Sequence, residues 1–415
     1  MTPHTSPRQT WKALQLRFVL IAASLCCAHN TALAAAITVS TATELQNAIA
    51  TANSSGGNAT ILLRDGTYTL SDTLYVNAPN VIIAGQSGNR EKVIIQGDAM
   101  SSTAKVKNLV RAAASGFQIS NLTLQKSGWH LLQIVGELNA DNAVVRNVIF
   151  RDAYEQMLKV TIDQSNYSIT SDNGLVENSL FEYTAGIGPQ YYIGGIDVHG
   201  GKSWTVRRNT FRHIISPSQT VAEFAIHFWN QSADALVEKN LIIDCDRAIG
   251  FGLDSRGNTR GIIRNNMIYH SANAGIFADV GIYLEQSPGT QVYNNTIFQE
   301  HAYPRAIEYR FPETTNVLIV NNLANKPILA RDGATGTVGS NFVSAVRSWF
   351  ANPTAGDLHI LAPNTNVIEK GRAVAGLVDD FDGDARPQGP AVDIGADEWM
   401  SVQTTLPCPT NLRIQ

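Results

Sequence analysis

Short alternations of apolar and polar residues recur along most of this chain, each lasting four to six residues before a turn interrupts it. The stretch GIDVHGGKSWTVRRNTFRHI, from Gly195 to Ile214, holds one whole copy of the unit. Successive side chains of a strand point to opposite faces, so Ile196 and Val198 are expected inside, and Asp197 and His199 outside. A glycine turn, a second short strand from Trp204 to Arg207, an Asn corner at Asn209 and a third strand complete the unit.

An Asn followed by a short apolar strand recurs at Asn121, Asn147, Asn178, Asn209, Asn240, Asn266, Asn295 and Asn322, at intervals of 26, 31, 31, 31, 26, 29 and 27 residues. A period of this size, built from strands without helical periodicity, predicts an all-β right-handed parallel β-helix, a solenoid. A leucine-rich repeat has a comparable period, but its leucine spacing is absent. Asn suits the corner because it tolerates the left-handed conformation and can hydrogen-bond to its own copy one rung away.

Aligning the strand before each glycine turn gives the inward pairs Leu132/Ile134, Leu158/Val160, Ile196/Val198, Ile226/Phe228, Ile249/Phe251, Ile282/Leu284 and Ile307/Tyr309. A one-residue slip would put all of them in water, so the register is well specified. The outward positions follow. One column reads Gln133, Lys159, Asp197, His227, Gly250, Tyr283, Glu308, and the next reads Val135, Thr161, His199, Trp229, Gly252, Glu285, Arg310. With strands ~4.8 Å apart, the seven rungs span about 29 Å, the length of several sugar units.

Ahead of the repeat, Thr41 and Glu44 have capping-box spacing, and Leu45, Ala48, Ile49 and Ala52 give a short helix one apolar face, suited to covering an open solenoid end. Beyond Asn322 the repeat weakens into DLHILAPNTNVIEKG and DDFDGDARPQGPAVDIGADEW. The acidic run lacks the full spacing of a calcium loop, so it is expected to be a turn that closes the solenoid. A Ca2+ requirement is left open.

Composition then narrows the class. Residues 1–34 carry Arg8, Lys12 and Arg17, no acid, the apolar run FVLIAASLCC and the closing Ala32-Leu33-Ala34, the pattern of a signal peptide cleaved after Ala34. That implies a secreted or periplasmic protein. Its apolar run is too short to span a bilayer, and no other run predicts a membrane span. Of 31 Lys+Arg and 35 Asp+Glu in all, three basic residues lie in this leader, so the remainder is about seven charges negative, unlike a nucleic-acid binder. Past the leader only Cys245 and Cys408 remain, too few for a disulfide framework. One body over residues 35–398, a loose tail over 399–415 and a monomer are expected.

The candidate chemistry lies in the outward columns. Gly195, Ala225, Ala248, Gly281 and Ala306, just upstream, are small and suggest a shallow strip. Gly250 and Gly252 leave the fifth rung bare between Trp229 and Tyr283, whose rings could stack on sugar faces. Asp197, His199 and His227 fall on adjacent rungs within ~5–7 Å. Such a group can hold a metal or do acid/base work; these rungs offer no third His or Cys, so no metal is assigned.

The leader, capping helix, DGTY, Asn-cornered rungs and closing DIGADEW resemble secreted bacterial right-handed β-helix proteins of the pectate-lyase superfamily. Within that group, QMLKV followed one rung later by DVHGGKSWTVRRNTF is similar to the Lys strand and RHG strand of the chondroitinase B and alginate lyase type. The resemblance implies a catalytic Lys at Lys159 and the His-Gly at His199-Gly200. Val198 stands where that type carries its catalytic Arg, which leaves the role to Arg310 or Arg207.

The expected function is therefore a polysaccharide lyase that cleaves an acidic, uronate-containing polysaccharide by β-elimination, or a C5-epimerase with the same base and cation. Lys159 would neutralise the substrate carboxylate, or act as base if its pKa is lowered. His199 or His227 would take the proton, Asp197 would orient the His, and Tyr283 would serve the leaving oxygen. An inverting glycoside hydrolase using Glu285 and Glu308, on adjacent rungs ~8 Å apart, is the alternative. A non-catalytic polysaccharide-binding surface protein is the third.

Overall fold

The computed structural model describes residues 36–400 together with Met1; the assigned leader and all but the first two residues of the assigned tail lie outside the described residues. The chain winds as a parallel β-helix. One face is a ten-stranded parallel sheet, running in order through Leu74–Val76, Val110–Ala112, Leu132–Ile134, Gln156–Val160, Gly194–His199, Phe224–Trp229, Arg247–Phe251, Ile282–Glu285, Ile307–Arg310 and Ile328–Arg331. The remaining strands of each rung form a twenty-stranded sheet that bends at the Asn corner.

Every expected inward pair is found inside; the first outward column pairs residue for residue, with Lys159 opposite Asp197, Asp197 opposite His227 and Tyr283 opposite Glu308, and the second pairs at His199 with Trp229 and Glu285 with Arg310. The column begins two rungs earlier than expected, at Tyr75 and Arg111. Interior packing is continuous from rung to rung: Phe150, Phe181 and Phe211 stack with ring centroids 4.4 and 4.6 Å apart.

The Asn corner divides into two columns. The left-handed conformation falls at Asn121, Asn147 and Asn178, but then at Arg208, Lys239, Asn265, Asn294 and Asn321, each one residue before the expected Asn. From Asn209 onward the repeated Asn lies inside and forms a ladder. The Nδ2 of Asn209, Asn240, Asn266, Asn295 and Asn322 each donates to the Oδ1 of the next, ending on Asn341, at 2.9–3.1 Å. The left-handed column also bonds from rung to rung, as expected of Asn: Asn147 Nδ2 donates to Asn121 Oδ1 at 2.8 Å and Asn321 Nδ2 to Asn294 Oδ1 at 3.1 Å.

The helix Ala42–Ser54 starts at the expected capping box: Thr41 Oγ1 accepts from the N–H of Glu44 at 3.2 Å, and Glu44 accepts from that of Ser40 at 2.7 Å. Leu45, Ala48, Ile49 and Ala52 close the first rung. The acidic run is a turn, but it does not close the far end as expected: it lies against the side of the solenoid, where Lys239 Nζ pairs with Asp379 at 2.7 Å and Asn265 Nδ2 donates to the Asp379 carbonyl at 2.8 Å. Buried Asp380 accepts three backbone N–H groups of that run through Oδ1 and the N–H of Glu398 through Oδ2. Trp399 and Phe381 pack onto a second apolar cluster, which the outward residues Met267, Tyr269 and Phe298 of the twenty-stranded sheet share with the C-terminal segment. No helix among the described residues is long and apolar enough to cross a membrane.

The strip of small residues lies elsewhere than expected. Ala225, Ala248 and Ala306 belong to the core, a Cβ on Gly195 would strike the Phe211 ring, and one on Gly281 would strike Ile297. The strands enter from a bend, so their first apolar residue faces inward together with the next one. The outward place is taken one residue earlier, by Gln156, Gly194, Phe224 and Arg247.

Candidate active site

On the outer face of the ten-stranded sheet, Asp197 is the centre of a buried polar cluster. Its carboxylate pairs with Lys159 Nζ, accepts Trp229 Nε1–H at 2.7 Å, and lies 3.4 Å from His199 Nε2 and 3.7 Å from His227 Nδ1. All are neighbours by strand pairing, which the sheet fixes at one rung. Burial opposes the charge on Asp197, but Lys159 and the two imidazoles outweigh it and hold the carboxyl well below the usual range. Burial likewise opposes the Lys159 charge, and Asp197 outweighs it, leaving the ammonium's pKa raised. Lys159 is thus a fixed cation and not a base.

Loops cover this face, so the columns are not the open groove their alternation suggests. Asp197 is 4% exposed, His199 7% and His227 1%. The Tyr167 hydroxyl, from the loop after the Lys159 strand, donates to Asn230 Oδ1 at 2.9 Å, and Asn230 Nδ2 lies 3.2 Å from His199 Nδ1. With an amide donor on Nδ1, His199 carries its proton on Nε2, facing Asp197. The mouth over Lys159 is lined by Tyr192, whose phenol feels Lys159 first among nearby charges, and Tyr191 beside it is half exposed.

The bare rung is filled. A Cβ on Gly250 would meet the Phe224 ring at 2.6 Å, and that ring lies over the glycine between His227, at 4.8 Å, and Tyr283, at 5.9 Å. Gly252 answers a turn, with φ +82° and the Glu285 carbonyl against any side chain. Trp229 offers no free platform: His199 and His227 pack on it, and the Arg256 guanidinium lies 4.1 Å from the ring centre.

Arg310 is not brought to the cluster. It stands four rungs from Asp197, ~19 Å, and binds Asp332 at 2.8 Å. Arg207, on the other sheet, is paired with Glu177. Tyr283, three rungs away, donates to Glu285, and Glu308 is occupied by Arg305, Arg331 and Tyr303. The expected hydrolase pair is therefore tied up on both carboxyls.

Several residues of the cluster went unnoticed in the sequence. Glu223 sits at its edge with a pKa raised by burial and by Asp197; Arg247 lies over Phe224 at 5.2 Å and pairs with Asp279. His130 lies two rungs below Asp197, its Nδ1 on the Gln156 carbonyl at 2.8 Å and its Nε2 3.8 Å from Glu155. Glu223 and Arg247 were hidden because the strand's outward phase shifts by one at its entry. The signal that could have found them is the glycine at 250, whose empty place required a ring from a neighbouring rung.

His227 is neutral at pH 7: burial lowers its pKa to about 4, from about 6.5 in the unfolded chain. Its folded pKa is the lower one, so its contribution is complete above pH 6.5 and is lost as pH falls toward 4. His227→Phe keeps the ring stacking and cannot protonate. Wild type should therefore lose stability relative to His227→Phe between pH 7 and pH 4.5, measured by urea unfolding at both. An unchanged difference would mean that the imidazole protonates equally well in the folded chain.

The fold and this cluster define a class, a right-handed parallel β-helix with a covered ionic cluster on the outer face of one sheet. Residues 194–357 match the family model described as a right handed beta helix region. No curated protein matches the chain. Among solved structures it is similar to the pectate lyase Pel9A, at 13% identity over 84% of this chain and 90% of that one, with a TM-score of 0.49. It is also similar to a mannuronic acid specific family 6 polysaccharide lyase from human gut microbiota, at 13% over 74% and 78%, TM-score 0.48. PfbA, a surface adhesin of Streptococcus pneumoniae, resembles it at 12% over 72% and 87%, TM-score 0.41.

Proposed function

We propose that the protein is a polysaccharide lyase that cleaves a uronate-containing polymer by β-elimination, outside the cytoplasm once residues 1–34 are removed. The observation that carries this is Lys159, a buried ammonium held charged at the mouth of a cluster that also contains His199. A uronate C5 proton is weakly acidic, so the carboxylate beside it must meet a cation before a base can remove the proton. Lys159 supplies the cation. Asp197 keeps it charged and is displaced from it, in part, by the substrate carboxylate.

His199 is the base nearest the mouth; its lone pair is on Nδ1, so substrate entry must turn the Asn230 amide away from that nitrogen. His227, almost wholly enclosed, acts through Asp197 and Trp229. Tyr192 replaces Tyr283 as the acid for the leaving oxygen, since it stands over Lys159 and Tyr283 does not.

A second reading has one specific observation in its favour. Glu223 and Asp197 are neighbouring carboxyls whose environments push their pKa values apart, the first up and the second down. That is how an acid and its partner carboxylate are divided in a glycoside hydrolase.

Incubation with a panel of uronate polymers separates the two. Elimination leaves a C4–C5 double bond conjugated to the carboxylate, so ultraviolet-absorbing ends should accumulate, and Lys159→Ala and His199→Ala should each slow them by at least ~10²-fold. New reducing ends without absorbance, lost in Glu223→Gln, would transfer the assignment to hydrolysis. An ultraviolet signal that survives both substitutions would remove the chemistry from this face.

A further inference from the structure

On the outer face of the other sheet, the C-terminal segment brings together three stretches and their ligand-type side chains. His359 lies on the strand Asp357–Ile360, Asp382 in the acidic turn, and Asp397 in DIGADEW. Their ligand atoms all lie within 4.8 Å of one another. We propose that His359, Asp382 and Asp397 form a binding site for a divalent transition-metal ion of the Zn2+ type, which ties these three stretches of the C-terminal segment together.

The orientation of the imidazole carries the proposal further than proximity does. Asp357 Oδ1 lies 2.6 Å from His359 Nδ1, so Nδ1 bears the proton and donates it, and Nε2 faces Asp382 Oδ2 at 2.7 Å. A carboxylate on the far nitrogen is what fixes the tautomer and ring plane of a metal-bound His. The two carboxylate ligands are also placed by their backbones. Asp380 Oδ1 accepts the N–H groups of Asp382, Gly383 and Asp384 at 2.8–3.0 Å, and Asp397 Oδ2 accepts that of Ile360 at 3.1 Å. The Phe381 ring packs edge-on against the imidazole, its centre 6.0 Å away, and shields one side.

Ligand chemistry decides the ion. Once the ion has displaced the Nε2 proton to solvent, the neutral imidazole and two carboxylates match the charge of a divalent cation, and imidazole selects a borderline-soft metal over Ca2+, which takes six to eight oxygens. Two ligands on a tetrahedral ion at ~2.1 Å sit about 3.4 Å apart, so the ion takes the place of the proton between Nε2 and Asp382 and opens that gap by ~0.7 Å. Asp382, with its side chain more than a third exposed, can yield that distance. Three protein ligands on a solvent-facing side leave a fourth position for water. An ion that binds only the folded C-terminal segment stabilises it.

The test uses the full chain, stripped with a chelator and titrated with ZnCl2 by calorimetry, with thermal unfolding read in parallel. The expected result is about one ion per chain and a raised Tm, with Ca2+ unable to compete. Asp357→Asn should weaken binding by ~10–100-fold, the usual loss when the carboxylate behind a ligating His is removed. His359→Gln should abolish it. Should that variant fail to fold, Co2+ loading gives a second readout: visible absorption in wild type, absent in Asp382→Asn, whose side chain is at the surface. Stripped wild type that takes up no Zn2+, or Zn2+ binding equal in wild type and Asp382→Asn, would overturn the site and leave an ion-pair network of His359 with its carboxylates.

Discussion

Asp197→Ala is expected to cost ~3–5 kcal/mol of stability and to leave no measurable activity, because it removes the carboxylate paired with Lys159 from a cluster that keeps its cation. In the variant, Lys159 would remain about nine-tenths buried with no counter-charge, and the Trp229 indole N–H would lose its acceptor. A second variant separates folding from chemistry. Lys159→Met/Asp197→Leu replaces both charges with apolar groups of similar volume, and such replacements are commonly neutral or stabilising. It should regain most of the lost stability in urea unfolding and stay inactive. Asp197→Ala as stable as wild type would mean that the cluster is open to water, contrary to its burial.

Asn266→Ala should be the second large loss, about 3 kcal/mol or more. Asn266 Oδ1 accepts from both the backbone and the side chain of Asn240, at 2.9 and 3.0 Å, and its Nδ2 donates to the Val237 carbonyl and to Asn295. Alanine would strand these partners where no water reaches, and each stranded group costs about 1–3 kcal/mol. Asn341→Ala, at the less buried end of the ladder, removes fewer such bonds and should cost about a third as much. Equal losses in denaturant unfolding would show that the ladder's interior is no more demanding than its end.

The interior of this fold is legible from the sequence because two constraints coincide there. Period-two alternation selects a face, and the repeat interval selects the partner, so Leu158, Ile196, Ile226 and Ile249 fall into one column without further information. The Asn corner is half legible: the interval identifies it, but the division of labour between Lys239 and Asn240 depends on which side chain the bend turns inward. Outer-face chemistry is legible only as far as Lys159, Asp197, His199 and His227. What covers them is set by contacts distant in sequence, such as Tyr167 on Asn230 and Arg256 on Trp229, and no local pattern encodes a loop's path. Gly250 is the instructive miss, an empty position in the sequence that the preceding rung's Phe224 fills.

The Asn ladder also gives the rod a head and a tail. From Asn209 to Asn322 each ladder amide donates toward the C-terminal side, so this row of dipoles points one way and its two ends are chemically different. An inserted rung would bring its own donor and its own acceptor and leave both ends as they were. Length is therefore a nearly neutral variable for this architecture, while termination is not: a chain cut after Asn322 would expose a donor with nothing to receive it. Shortened or duplicated versions should tolerate changes in rung number far better than any change in the segment that carries Asn341.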